Sequence, residues 1–129
     1  MLNNHMRFLV VDDFPGTHGG IKNLLVDLGF LNVDEVDDGP VAIQKLQAGN
    51  FDFVISNWQM PTMDGLTMLQ NIRAREELKQ IPVLMVTARV TKEHIVDAVQ
   101  AGVDGFLARP FTAKVLFEKL NLIAKNTGN

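Results

Sequence analysis

Apolar runs of only four or five residues, each closed by polar residues, alternate along this chain with longer stretches of helical spacing. Phe8-Leu9-Val10-Val11 ends in Asp12-Asp13, Phe51 to Ser56 ends at Asn57, Pro82 to Val86 ends at Thr87, and Gly105 to Ala108 ends at Arg109-Pro110. Val33 to Val36 is a shorter, more polar member of the set. Strands that are apolar on both faces, separated by amphipathic helices, imply a parallel sheet covered on both sides. The helical stretches are Ile21, Leu24, Leu25 and Leu28, stopped by Gly29; Val41 to Ala48, stopped by Gly49-Asn50; Met63 to Arg75; Ile95 to Ala101, stopped by Gly102; and Val115 to Ile123. Pro15 suits a first helical turn. Gly19-Gly20 falls inside the expected first helix, where each glycine costs about 1 kcal/mol relative to alanine.

The chain has 129 residues, 47% of them hydrophobic and 21% charged. That predicts one α/β domain with a core large enough to need no metal or disulfide staple. The absence of cysteine removes disulfides, thiolate nucleophiles and zinc–thiolate sites together. A net charge of −3 makes nucleic acid a poor default partner, since that role rewards clustered Lys and Arg. The N-terminus shows no signal-peptide pattern, and no apolar run approaches the roughly 20 residues needed to cross a bilayer. The expectation is a soluble, cytoplasmic monomer.

In a doubly wound sheet, chemistry collects at the carboxyl ends of the strands. Those ends carry Asp12 and Asp13, then Asn57, Trp58 and Gln59, then Thr87, then Arg109. Each residue also has a plainer explanation. Asp12-Asp13 is equally an N-cap pair ahead of Pro15. Thr87 alone is an ordinary strand end, and Arg109 is a natural salt-bridge partner for Asp12 or Asp13. Trp58 and Phe106 read first as half-buried core, and Asp64-Gly65 as a turn or helix start. His5, His18 and His94 lack metal-ligand spacing and read as surface residues.

Taken together, Val10-Val11-Asp12-Asp13, Pro61 with Met63-Asp64-Gly65, Val86-Thr87-Ala88 and Arg109-Pro110-Phe111 resemble the receiver domain of bacterial two-component response regulators, specifically its CheY-like chemotaxis branch. The resemblance runs from about Arg7 to Ile123 and leaves no room for an output domain. It implies a five-stranded parallel sheet of order 2-1-3-4-5 flanked by five helices, flavodoxin-like in its winding. It also implies Mg²⁺ held by Asp12, Asp13, residue 57 and the Gln59 carbonyl. Thr87 and residue 109 would contact a phosphoryl group donated by a chemotaxis histidine kinase. The family's docking face for the flagellar motor switch would carry Arg89, Val90, Phe106, Ala108, Lys119 and Leu122.

Four positions depart from the pattern. Asn57 stands where the family has its phospho-acceptor aspartate, and a carboxamide is a poor nucleophile. Arg109 replaces a lysine, and the two cations are not interchangeable in reach or geometry. Phe106 replaces an aromatic that often carries a hydroxyl, and Arg89 replaces an acidic residue. Asp12, Asp13 and Arg109 leave the site a formal charge of −1, where three aspartates and a lysine leave −2. Losing one charge at about 4 Å from a cation costs on the order of a few kcal/mol at an effective dielectric near 20. Mg²⁺ binding is therefore expected to be weakened or absent, with Arg109 able to bridge the aspartates in the metal's place.

The favoured function is a degenerate, non-enzymatic signalling module. An ordinary regulator in which Asn57 has been substituted is the alternative, though the second departure at Arg109 argues against it. A Mg²⁺-dependent phosphotransfer enzyme fits less well, because it needs a nucleophile, a pocket and usually a cap.

Overall fold

The computed structural model describes residues 2–12, 20–60, 62–88 and 90–127. Five strands and five helices alternate: β1 (Arg7–Val11), α1 (Ile21–Asp27), β2 (Asn32–Val36), α2 (Gly39–Ala48), β3 (Phe53–Asn57), α3 (Gly65–Ala74), β4 (Val83–Thr87), α4 (Lys92–Gln100), β5 (Gly105–Ala108) and α5 (Ala113–Asn126). All four strand pairings are parallel, and the sheet order is β2-β1-β3-β4-β5, as the rhythm and the resemblance imply.

Strand alternation sorts the apolar side chains into two layers. Leu9, Val11, Val54, Val83 and Met85 pack with Ala42, Leu46, Met68, Leu69, Ile72 and Ala98 from α2, α3 and α4. Phe8, Val10, Phe53, Ile55, Leu84 and Val86 pack with Ile21, Leu25, Leu116, Leu120 and Ile123 from α1 and α5. Both faces of the central strands are thus buried, which is why those strands read as continuous apolar runs.

The starts of α2, α3, α4 and α5 carry side-chain caps. The carboxylates of Asp38 and Asp64 accept from the backbone N–H groups of Val41 and Thr67, both at 2.8 Å. The hydroxyls of Thr91 and Thr112 accept from His94 and Val115 at 3.1 and 3.2 Å. Gly29 and Gly102 follow their helices at φ +97° and +90°, the left-handed stop that favours glycine.

Several boundaries shift by a few residues from expectation, and three of the differences have a clear physical reason. Helix α3 starts at Gly65, not Met63, because Asp64 is its cap. Strand β3 starts at Phe53, not Phe51. Phe51 is buried under the Arg7 guanidinium, 4.5 Å from its ring, and lies outside the ladder. Gly20 is the extended N-cap of α1 and not an interior residue, so the expected helix penalty does not arise there. Gly19, Pro15 and His18 lie outside the described residues. No helix among the described residues is long and apolar enough to cross a membrane.

Candidate functional site

Parallel strands all end on the same side, so the sheet delivers the residues that close β1, β3, β4 and β5 to one rim. Asp12 follows β1, and its backbone N–H donates to the Val36 carbonyl at 3.0 Å, extending the ladder with β2. Asn57 closes β3 opposite Val86. Thr87 closes β4, and Arg109 follows β5 with its backbone N–H donating to the Thr87 carbonyl at 2.8 Å. The Arg109–Pro110 peptide is cis. Asp12, Asn57 and Thr87 are 2%, 8% and 3% exposed, an unusual concentration of buried polar groups at one end of a small domain.

Glycine brings α3 against this rim. The Gly65 N–H donates to the Trp58 carbonyl at 2.6 Å. A Cβ at Gly65 would lie 2.7 Å from the Asn57 carbonyl oxygen and 2.8 Å from the Met85 sulfur. The Asp64-Gly65 pair therefore acts as helix start and close approach together, with Asp64 engaged as a cap.

Two contacts define the polar arrangement. The Arg109 guanidinium reaches Asp12, with Nη2 3.3 Å from Oδ2, and pairs a 31% exposed side chain with one that is 3% exposed. The salt-bridge reading of Arg109 thus holds for Asp12, while Asp13 lies outside the described residues. The Asn57 amide Nδ2 donates to the Gln59 carbonyl at 3.1 Å. The carbonyl that the receiver pattern gives to the metal is therefore a hydrogen-bond acceptor for residue 57, and the Asp12 carboxylate faces an internal cation. Among the described residues, no cluster of three or more His, Asp or Glu side chains is placed to hold a metal ion.

Glu35 was not among the residues the sequence singled out. It lies on β2 opposite Val10, and burial, followed by the nearby Asp12 carboxylate, raises its pKa above the ordinary value, with Lys22 opposing. Only the placement of β2 beside β1 brings it near Asp12.

His94 corrects the surface reading. Its ring stacks on Trp58 with centroids 4.7 Å apart at 28°, and its buried Nδ1 has no hydrogen-bond partner among the described residues. Trp58 is 5% exposed and also meets Phe106 at 5.7 Å, so it is core and not half-buried.

The remaining predicted positions lie around β5 and its neighbouring helices. Val90 and Leu122 are 41% and 52% exposed, Ala108 is exposed, and Phe106 and Lys119 are half-buried. Arg89 lies outside the described residues.

Residues 8–121 match the family described as the response regulator receiver domain. Chemotaxis protein CheY-3 of Vibrio cholerae is 53% identical over 123 residues, covering 95% of each chain. The solved structure of Vibrio cholerae chemotaxis protein CheY4 superposes with a TM-score of 0.85 at 29% identity, covering 92% of this chain and 98% of that one. The receiver domain of a Pseudomonas aeruginosa sensor histidine kinase, which has a magnesium ion coordinated in its active-site cleft, superposes at 0.81 with 27% identity, covering 93% and 98%.

Proposed function

The chain belongs to the response regulator receiver domain family, and from that premise we propose that it works as a CheY-like chemotaxis regulator with a degenerate phosphorylation site. Receivers of this family are non-catalytic signalling modules, so the function is sought in docking and not in turnover. The observation that carries the proposal is the state of residue 57. Asn57 is buried at the end of β3, where the family pattern has its acceptor, and its amide nitrogen is committed to the Gln59 carbonyl. A carboxamide in that place has neither the charge nor the nucleophilicity to attack a phosphohistidine and hold an acyl phosphate.

On this reading Asp12, Asp13 and the Gln59 carbonyl are what remains of a metal site, and Mg²⁺ binds it more weakly than in a receiver with three carboxylates. Thr87 and Arg109 are the remnants of the phosphoryl-contacting pair. The partners are a chemotaxis histidine kinase and the flagellar motor switch, in the cytoplasm. They meet the face carrying Arg89, Val90, Phe106, Ala108, Lys119 and Leu122. Exposed Val90 and Leu122 support a docking role there, since a partner can remove their apolar surface from water.

The test is direct. The protein is incubated with phosphorylated chemotaxis kinase, or with acetyl phosphate and Mg²⁺, and examined by intact and peptide mass spectrometry. The expected result is no phosphate on residue 57, with Asn57→Asp gaining one. A phosphate mapped to Asn57 in the unmodified protein overturns the proposal.

A further inference from the structure

A carboxylate as buried as that of Asp12 keeps its charge only where a cation or several donors face it. In the family pattern a metal ion supplies much of that compensation. Here Arg109, 97 positions away in sequence, brings its Nη2 to 3.3 Å from Asp12 Oδ2. The base of that arm is itself anchored, through the Arg109 N–H, to the end of β4. On the other side of the rim, the Asn57 amide presents a hydrogen to the Gln59 carbonyl at 3.1 Å, where the family pattern has a carboxylate and a metal ion sharing that oxygen. The two contacts use different donors, different acceptors and different strands.

Resting on the receiver reading above, we propose that Arg109 is the resident cation of this site. Its guanidinium neutralises Asp12 from within, Asn57 ties up the Gln59 carbonyl, and the rim is closed to divalent cations by two separate contacts. A metal ion entering the site has to displace the guanidinium, break the amide contact and then sit beside the positive charge it displaced. The same pair fastens the end of β1 to the connection between β5 and α5. The arrangement of that connection, next to Phe106 and Ala108, is therefore set without either metal or phosphoryl group. Arg109 is here a positioning residue. Loss of charge at residue 57 is then only part of what weakens metal binding, and an aspartate at position 57 alone restores it only in part.

The experiment is a Mg²⁺ titration of the unmodified protein, Asn57→Asp, and Asn57→Asp combined with Arg109→Lys. It is followed by the fluorescence of Trp58, the single tryptophan, and by calorimetry. Both variants carry the same net charge, so they differ only in how residue 109 holds Asp12. The double variant is expected to bind Mg²⁺ at least about tenfold more tightly than Asn57→Asp, the scale of one charge-assisted hydrogen bond. Equal affinities in the two variants overturn the proposal. The unmodified protein provides a second measurement that needs no substitution. Its melting temperature is expected not to move with millimolar Mg²⁺, whereas a rise would mean that the ion binds the native site and displaces the guanidinium. Both outcomes are separate from phosphate at residue 57, which bears on the functional reading alone.

Discussion

Replacing Arg73 with alanine removes the cross-brace that holds the ends of α3, β4 and α4 together. Its Nε donates to the Gly102 carbonyl at 3.0 Å, and its Nη1 to the carbonyls of Lys79 and Ile81 at 3.1 and 2.7 Å. Its Nη2 meets Asp104 Oδ2 at 2.8 Å, and that same oxygen accepts the Val83 N–H at 2.7 Å. The guanidinium thus satisfies three loop carbonyls and one carboxylate from a side chain that is 19% exposed. Charged hydrogen bonds contribute about 1.5–3 kcal/mol each when well buried. At this exposure water replaces part of the loss, and partly exposed ion pairs contribute about 1 kcal/mol or less. The expected destabilisation of Arg73→Ala is therefore about 2–4 kcal/mol in total. Urea unfolding followed through Trp58 should show a lower midpoint with an unchanged slope, because the surface exposed on unfolding is nearly the same. Arg73→Lys is the control. One ammonium cannot meet acceptors spread around a planar fork, so it should recover well under half of the loss. A loss below about 1 kcal/mol for Arg73→Ala, or full recovery by lysine, would refute the cross-brace argument, given what those bonds are worth.

Glu35 yields a pH prediction. Burial and the Asp12 carboxylate raise its native pKa above the ordinary value, so the native state holds this proton more tightly than the unfolded chain does. The stability it contributes is complete below the ordinary carboxylate pKa and is lost as pH rises through the raised native value. Glu35→Gln should raise the melting temperature near neutral pH, with the gain shrinking to nothing in acid; a gain of equal size at both pH values would contradict this. Gly65→Ala should destabilise the domain by about 1–3 kcal/mol, the usual cost of overpacking. The added methyl meets the backbone oxygen of Asn57 at 2.7 Å, and a thermal melt indistinguishable from the unmodified protein would show that α3 can retreat.

Much of this protein was readable from local pattern. Apolar runs ending in Asp12, Asn57, Thr87 and Ala108 identified four of the five strands and placed their closing residues at one rim. A parallel sheet has no choice about which side its strands end on. The more polar run from Val33 to Val36 was enough to complete the set, and Gly29 and Gly102 marked helix stops because a left-handed residue there favours glycine. Asn57 and Arg109 stood out as departures because they occupy strand ends whose neighbours match a known motif.

Tertiary structure decided which partner each of those residues takes. Periodicity states which face a side chain leaves from, but not what waits across a gap of tens of residues. Arg109 reaches Asp12 only because β5 and β1 end on the same rim and a guanidinium is long enough to cross it. His94 looked like a solvent-facing residue, yet its ring stacks on Trp58, a partner that only the packing of α4 against the end of β3 supplies. Arg73 carried no signal of its own in the sequence, yet its guanidinium makes four hydrogen bonds to acceptors on two separate connections, α3–β4 and α4–β5. Glu35 became part of the site's electrostatics only when β2 lay down beside β1. Long polar side chains carry little local signal because the same residue serves equally well in solvent. Their roles are settled by register, helix phase and reach, which exist only once the sheet has formed.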